Sequence, residues 1–355
     1  METSRLNRDQ ARQLLAKEDL LELGRRAHER RRAKHPDNLV TFVIDRNINY
    51  TNICTCQCRF CAFYRRPENP DAYLIDLPTL RQKINETLEL GGTQILLQGG
   101  LHPDLGIDYY ERLLRTIKTE FPTIHIHGFS APEIWHISRQ SGLELEETLA
   151  RLIRAGLGSI PGGGAEILDD RVRGRISPNK IGWRQWLAVM AAAHRQGLRS
   201  TATMMFGSVE SDEELIEHLF RVRELQDETG GFTAFIPWSF QPDHTDLQEE
   251  VPRPATGVDY LRVLAVSRLV LDNIDNIQAS WVTQGAKLAQ VALYFGANDF
   301  GSTMIEENVV AAAGVHFRLS LPEMISTIKE AGFTPAQRNT LYQTLKVYTD
   351  DCTPR

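Results

Sequence analysis

At 355 residues the chain can bury a large core, as one big α/β domain or two smaller ones. Its 40 Lys and Arg against 46 Asp and Glu leave a net charge of −6, a poor balance for gripping nucleic acid. No apolar run reaches the roughly 18 residues of a membrane span, and the first residues are charged without an apolar leader, so a soluble, cytoplasmic chain with no nucleic-acid or membrane partner is expected.

Residues 1–39 read as a charged helical cap. From residue 40, β-type apolar runs alternate with amphipathic helical patterns. Strands are expected at 40–45, 94–98, 124–128, 159–162, 200–206, 232–238, 277–282 and, more weakly, 298–304; helices are expected at 77–90, 109–120, 145–155, 183–196, 212–228, 258–272 and 285–295. Helix 145–155 shows the logic: Leu145, Leu149, Leu152 and Ile153 form one apolar stripe, and Gly156 stops it. Eight strands, each followed by a helix, describe a parallel (β/α)8 barrel of class α/β over 40–320. A doubly wound open sheet is the alternative, but the Gly-rich turn it usually carries after its first strand is replaced here by a cysteine loop. Beyond the barrel, 321–331 and 335–348 read as closing helices and 350–355 as a tail.

Four of the five cysteines, Cys54, Cys56, Cys58 and Cys61, lie in one short loop, and Cys352 sits in the tail. Neighbours this close make a poor disulfide framework, so the loop reads as metal ligation. Cys54-x3-Cys58-x2-Cys61 offers three thiolates, with Cys56 expected to point elsewhere. Structural zinc wants four ligands, and no second Cys/His pair follows at finger spacing. Three thiolates around a 4Fe-4S cubane leave one iron open, as a reactive cofactor requires. Zinc, or a set of reduced thiols, is the alternative.

In such barrels chemistry collects at the C-terminal strand ends. The cysteine loop follows the first strand, Gln98-Gly99-Gly100 the second, His127 to Ser130 the third and Pro161 to Glu166 the fourth. His102, His125, His127 and Glu133 are rim candidates for substrate contact or proton removal. Gln278, Ser280, Trp281, Thr303, Glu306, Glu307 and Asn308 are candidates for a substrate pocket, the acidic pair alternatively capping a helix.

The three-cysteine motif with Phe60 before its last member resembles the radical S-adenosylmethionine superfamily. Longer stretches, among them Asn49-Tyr-Thr-Asn-Ile-Cys54, Cys58-Arg-Phe-Cys-Ala-Phe-Tyr-Arg65, Leu96-Leu-Gln-Gly-Gly-Leu-His-Pro103 and Ser159-Ile-Pro-Gly-Gly-Gly-Ala-Glu-Ile-Leu168, resemble the cyclic dehypoxanthinyl futalosine synthases of the futalosine route to menaquinone. The likeness covers about residues 40 to 335. It implies a 4Fe-4S cluster on Cys54, Cys58 and Cys61 with S-adenosylmethionine on its open iron. Phe63 and Tyr64 would then meet the adenine, Gln98, Gly99 and Gly100 the methionine amino group, Glu166 the ribose and Arg173 the methionine carboxylate, with Ser130 as a further contact. His127, Glu133 and Glu306 are the catalytic candidates. The implied reaction is oxidative ring closure of dehypoxanthine futalosine, fed by a donor such as flavodoxin or ferredoxin. Aminofutalosine synthase-like and deazaflavin-forming chemistry are the rivals within the superfamily; a non-catalytic metal-binding module is the rival outside it.

Overall fold

The computed structural model describes residues 5–251 and 253–349. Two helices open the chain, α1 (Arg8–Lys17) and α2 (Leu20–Lys34), capped by Asn7 and Asp19, whose side chains accept backbone N–H groups of the first turn. Strand β1 (Leu39–Val43) then runs almost unbroken into β2 (Asp45–Asn49). Next come α3 (Leu77–Glu89), β3 (Gln94–Gln98), α4 (Ile107–Glu120), β4 (His125–Gly128), α5 (Ala131–Ser141), α6 (Leu145–Ala155) and β5 (Ser159–Ile160). They are followed by α7 (Asp170–Ile176), α8 (Trp183–Arg195), β6 (Arg199–Phe206), α9 (Asp212–Thr229), β7 (Phe232–Ser239) and α10 (Gly257–Val270). The circuit ends with β8 (Asn276–Ile277), α11 (Trp281–Gln284), α12 (Ala286–Ala292) and β9 (Asp299–Ser302).

Strands β2 to β8 form a seven-stranded sheet in sequential order, every pairing parallel. Strand β9 closes it: Gln278, just past β8, bridges Asp299, while Thr41 and Val43 of β1 pair with Asp299 and Ser302. The result is the expected α/β barrel. Helix α2 covers its floor, because the buried Arg31 guanidinium binds Ala297 O at 2.9 Å and Leu39 O at 3.0 Å, carbonyls that precede β9 and begin β1. The chemistry-bearing loops all leave the other end.

Three expectations need correction. The first barrel strand continues to Asn49, and its residues are all buried. It escaped notice because Asp45, Asn47 and Asn49 alternate inward to line a polar cavity, while Arg46 and Ile48 face the helices. The seventh strand stops at Ile277, and Trp281–Gln284 turns into α11. Of the two closing helices only α13 (Leu321–Glu330) forms, over a Ser320 capping box. Residues 335–348 instead build the hairpin of β10 (Thr334–Arg338) and β11 (Thr344–Val347). Strand β1 offers β10 a free parallel edge, and Asn339 makes the turn by accepting Leu341 and Gln343 N–H at 3.0 Å each. Cys352 and the expected tail lie outside the described residues.

Candidate active site

The cysteine loop is pinned to the rim through its backbone. Cys54 N–H donates to Arg65 O at 3.1 Å, Arg65 N–H to Asn52 O at 2.8 Å, Arg59 N–H to Ile176 O at 2.8 Å and Gly100 N–H to Thr51 O at 3.0 Å. The Arg65 guanidinium holds the carbonyls of Ala62, Phe63 and Tyr64 at 3.0, 3.3 and 2.9 Å, fixing the turn after Cys61. Nothing in the sequence around Arg65 signals this clamp. All four thiols line one cavity of about 440 Å³, together with Phe63 and Tyr64. Cys56 therefore does not point away: its buried thiol faces Cys54 and Cys58 and reaches Asn179 O at 3.5 Å. Hydrogen bonding from Cys56 pulls the Cys54 thiol down to about 6 and lowers Cys58 as well, whereas burial pushes Cys61 up to about 11. Among the described residues no three His, Cys, Asp or Glu side chains converge on a point for one metal ion. A cubane is larger than an ion and takes its three thiolates from positions that stand apart.

Gln98, Gly99 and Gly100, at the end of β3, form the lip of the cavity next to the cysteine loop. A Cβ on Gly99 would lie 2.6 Å from the Tyr50 ring, and one on Gly100 only 2.1 Å from Ile53 O. The glycines thus let the cysteine loop itself press against β3. Behind them Glu133, at the start of α5, accepts four bonds: Tyr50 Oη at 2.8 Å and Gly99 N–H at 2.9 Å on Oε1, Ser130 N–H at 2.7 Å and Ser130 Oγ at 2.6 Å on Oε2. Burial pushes this carboxyl up to about 7, but four donors leave no room for a proton, so the surroundings fit the ionised form. Glu133 and Ser130 line the cavity, yet each is occupied in tying β3 to α5.

On the far wall Glu166 sits at a positive φ of 41°, its Oε1 2.6 Å from Lys180 Nζ and its buried Oε2 without a partner. Burial alone would depress the Lys180 ammonium, but the Cys58 thiolate and Glu166 hold its proton affinity above the ordinary range. Arg173 does not reach the cavity; its buried guanidinium binds Ala165 O at 2.7 Å, Gly164 O at 3.1 Å and Ile181 O at 2.6 Å. The cation facing the thiols is Lys180, which no spacing in the sequence announced.

Glu306 also stands outside the cavity lining, paired with Lys83 at 2.5 Å and Arg46 at 3.6 Å. Glu307 lines it but accepts the N–H groups of Val309, Val310 and Ala311. His127 does line it, and burial pushes its ring down to about 3, keeping it neutral. Deeper in, Asn47, Gln94, Gln278 and Arg338 make the lining polar, with Arg338 bidentate on Asp299 at 2.6 and 2.9 Å.

Comparison with known proteins decides the family. The radical SAM superfamily model matches residues 48–222, and the CofH/MqnC C-terminal region model matches 229–350. A cyclic dehypoxanthine futalosine synthase of Halalkalibacterium halodurans is 48% identical over 346 residues, covering 98% of this chain and 93% of the relative. A second, from Streptomyces coelicolor, is 46% identical over 325 residues, covering 91% and 81%. The chain belongs to the cyclic dehypoxanthine futalosine synthase family of radical S-adenosylmethionine enzymes. That family has a near neighbour: a 5-amino-6-(D-ribitylamino)uracil–L-tyrosine 4-hydroxyphenyl transferase of Methanopyrus kandleri is 43% identical over 340 residues, covering 94% and 92%. Among solved structures, methylornithine synthase superposes with a TM-score of 0.71 at 20% identity over 94% of this chain and 95% of the other. The FeFe-hydrogenase maturase from Carboxydothermus hydrogenoformans gives 0.70 at 16% identity over 95% and 77%. Both likenesses concern the fold.

The residues fit the family's cofactors. Three thiols open onto one cavity at the end of a barrel strand. A buried carboxylate oxygen of Glu166 there lacks any protein donor, as a group awaiting ligand hydroxyls would.

Proposed function

We propose that the chain catalyses the oxidative ring closure of dehypoxanthine futalosine to its cyclic product in menaquinone biosynthesis. The observation that carries the reading is the junction of the three-thiol loop with a polar, strand-lined cavity that continues into the barrel, in a chain 48% identical to a synthase of that name. Cys54, Cys58 and Cys61 would hold a 4Fe-4S cluster, which together with S-adenosylmethionine would supply the radical chemistry that breaks the ribose C4′–H bond. Phe63 and Tyr64 flank the loop where an adenine would lie. The lip of Gln98 to Gly100 offers the methionine a backbone wall, and Glu166 Oε2 accepts a ribose hydroxyl. Lys180 holds Glu166 Oε1 at 2.6 Å and places one positive charge beside the thiols. The barrel walls exclude water, which protects a carbon radical from stray hydrogen donors. A flavodoxin or ferredoxin would deliver the electron.

The test is an anaerobic reaction of reconstituted protein with S-adenosylmethionine, a strong reductant and dehypoxanthine futalosine, followed by mass spectrometry. A product two hydrogens lighter than the substrate, formed with free 5′-deoxyadenosine, is expected. The 43% identity to the tyrosine-dependent transferase supports one other reading, tested in the same assay with L-tyrosine and 5-amino-6-(D-ribitylamino)uracil. Turnover of that pair alone would replace the cyclase assignment.

A further inference from the structure

A hydrogen-bonded chain leads out of the cavity toward the opposite end of the barrel. Strand alternation puts His125 and His127 of β4 on one face, and the β4–β5 register sets Ser159 beside His127. The Ser159 hydroxyl stands between the two rings, 2.6 Å from His127 Nδ1 and 2.7 Å from His125 Nε2. With a single proton it donates to one ring and accepts from the other. His127 lines the cavity, and no group among the described residues bonds its Nε2. His125 stands two residues nearer the strand's N-terminal edge, is only partly buried and is not part of the cavity lining. Lys118, bound to the carbonyls of Pro122 and Ile124, is the charged group near that edge, and Arg338 is the one acting on His127.

The other candidate bases of the cavity are engaged. Glu133 and Glu307 are saturated by donors, Glu166 is paired with Lys180, and Asp45 takes Ser302 and Gln94. Glu166 Oε2 is the oxygen already assigned to a ribose hydroxyl, which leaves His127 Nε2 for the ring proton. Burial holds both rings neutral, His127 down to about 3 and His125 to about 4, so a lone pair is available at neutral pH.

We propose that His127, Ser159 and His125 form a proton relay that receives the proton released at ring closure and passes it to solvent at the barrel floor. The inference rests on the cyclase reading. Addition of the C4′ radical to the benzoate ring forms a C–C bond and leaves a ring carbon bearing hydrogen beside a delocalised radical. Rearomatisation breaks that C–H bond. Its proton goes to His127 Nε2, and one electron goes to a one-electron acceptor of the iron–sulfur class. His127 Nδ1 hands its proton to Ser159 Oγ, the serine's own proton moves to His125 Nε2, and His125 Nδ1 releases one to water. Exchange with water after the product leaves restores the starting tautomers.

Two variants interrupt the relay without touching the cysteine loop or the glycine lip. Ser159→Ala removes the link, and Ser159→Thr keeps the hydroxyl. Gly158→Ala places a Cβ 2.5 to 2.9 Å from three atoms of the His125 ring and displaces it. The readouts are cyclised product per 5′-deoxyadenosine and the solvent deuterium isotope effect on product formation. For Ser159→Ala the ratio is expected to fall on the order of tenfold to a hundredfold while S-adenosylmethionine cleavage and iron content persist. Gly158→Ala should fall the same way, and Ser159→Thr should stay near wild type. A wild-type ratio and isotope effect in Ser159→Ala would overturn the relay, as would parallel loss of cleavage and product. A wild-type enzyme that cleaves S-adenosylmethionine but never cyclises this substrate would overturn the cyclase reading, and the relay with it.

Discussion

Replacing Glu133 by glutamine tests whether the rim is held by one carboxylate. The side chain keeps its shape, but one acceptor oxygen and two N–H groups replace two acceptor oxygens. In the least costly placement the amide oxygen stays on Tyr50 Oη and Gly99 N–H, and the NH2 group turns to Ser130. The serine hydroxyl can rotate and accept; the Ser130 N–H, 2.7 Å from Oε2 in the wild type, cannot. That buried donor costs about 1–3 kcal/mol, and the remaining bonds lose the charge assistance that roughly doubles their strength. The expected destabilisation is about 2–4 kcal/mol, read from denaturant unfolding of the metal-free chain. Because Gly99 is part of the lip proposed to meet S-adenosylmethionine, affinity for that ligand should fall in the reconstituted protein too. A change below about 0.5 kcal/mol, within the range of an ordinary surface substitution, together with unchanged affinity would refute the argument.

Cys58→Ala should abolish cluster assembly, whereas Cys56→Ala should retain most of the iron and the absorbance; equal iron contents would show that the ligand assignment is wrong. Gly100→Ala forces a methyl group to within 2.1 Å of Ile53 O and should cost about 1–3 kcal/mol, lowering cluster loading as the loop lifts off β3; full loading would mean the loop is not packed as described. Burial holds His125, His127, His194 and His218 at about 4, 3, 4 and 3, against 6.5 for an exposed ring. The unfolded chain binds protons that the folded one refuses, so stability is full above pH 6.5 and falls as pH drops. The slope approaches about 1.4 kcal/mol per pH unit for each such ring below that point. Urea midpoints that stay constant between pH 7 and 5 would contradict it.

Much of the barrel could be read from the sequence because its outer helices and most strands carry the expected periods. Strand β3 falls where a short apolar run placed it, and α6 buries Leu149 and Leu152 of its expected stripe. What escaped was the polar interior. Strand β2 has Asp45, Asn47 and Asn49 on its inner face, so a search for apolar runs passes over it. Residues 335–348 mix polar and apolar positions at spacings that suit a helix, and only the free edge of β1 makes them a hairpin. The cysteine motif was legible at the level of residue type, since thiol chemistry at that spacing has few uses. The side-chain environment was not: Cys56 shares the cavity because the loop bends through a positive φ of 47° at Gln57, which the sequence does not announce.

Glu306 is engaged by Lys83 and Arg46, and the other charges outside or at the edge of the cavity hold rim turns. A charged residue near a motif suggests a ligand contact, which is the ground for expecting Arg173 and Glu306 in the site. In the structure Arg65, Arg173 and Glu133 each bind the backbone or cap of a rim turn: the turn after Cys61, the turn at Gly164–Ala165, and the Gly99–Ser130 junction. A sharp, glycine-rich turn leaves carbonyls and N–H groups unpaired, and a buried ionic side chain satisfies several at once. Charges near such motifs are therefore as apt to hold the turn as to hold the ligand. Two ion pairs reach the cavity, Glu166 with Lys180 and Arg338 with Asp299 behind it. Removing one member of a pair, as in Lys180→Met, should weaken S-adenosylmethionine binding and destabilise the fold by about 3–5 kcal/mol, because Glu166 is left buried and alone. Loss of binding without loss of stability would instead mean that Lys180 contacts the ligand directly.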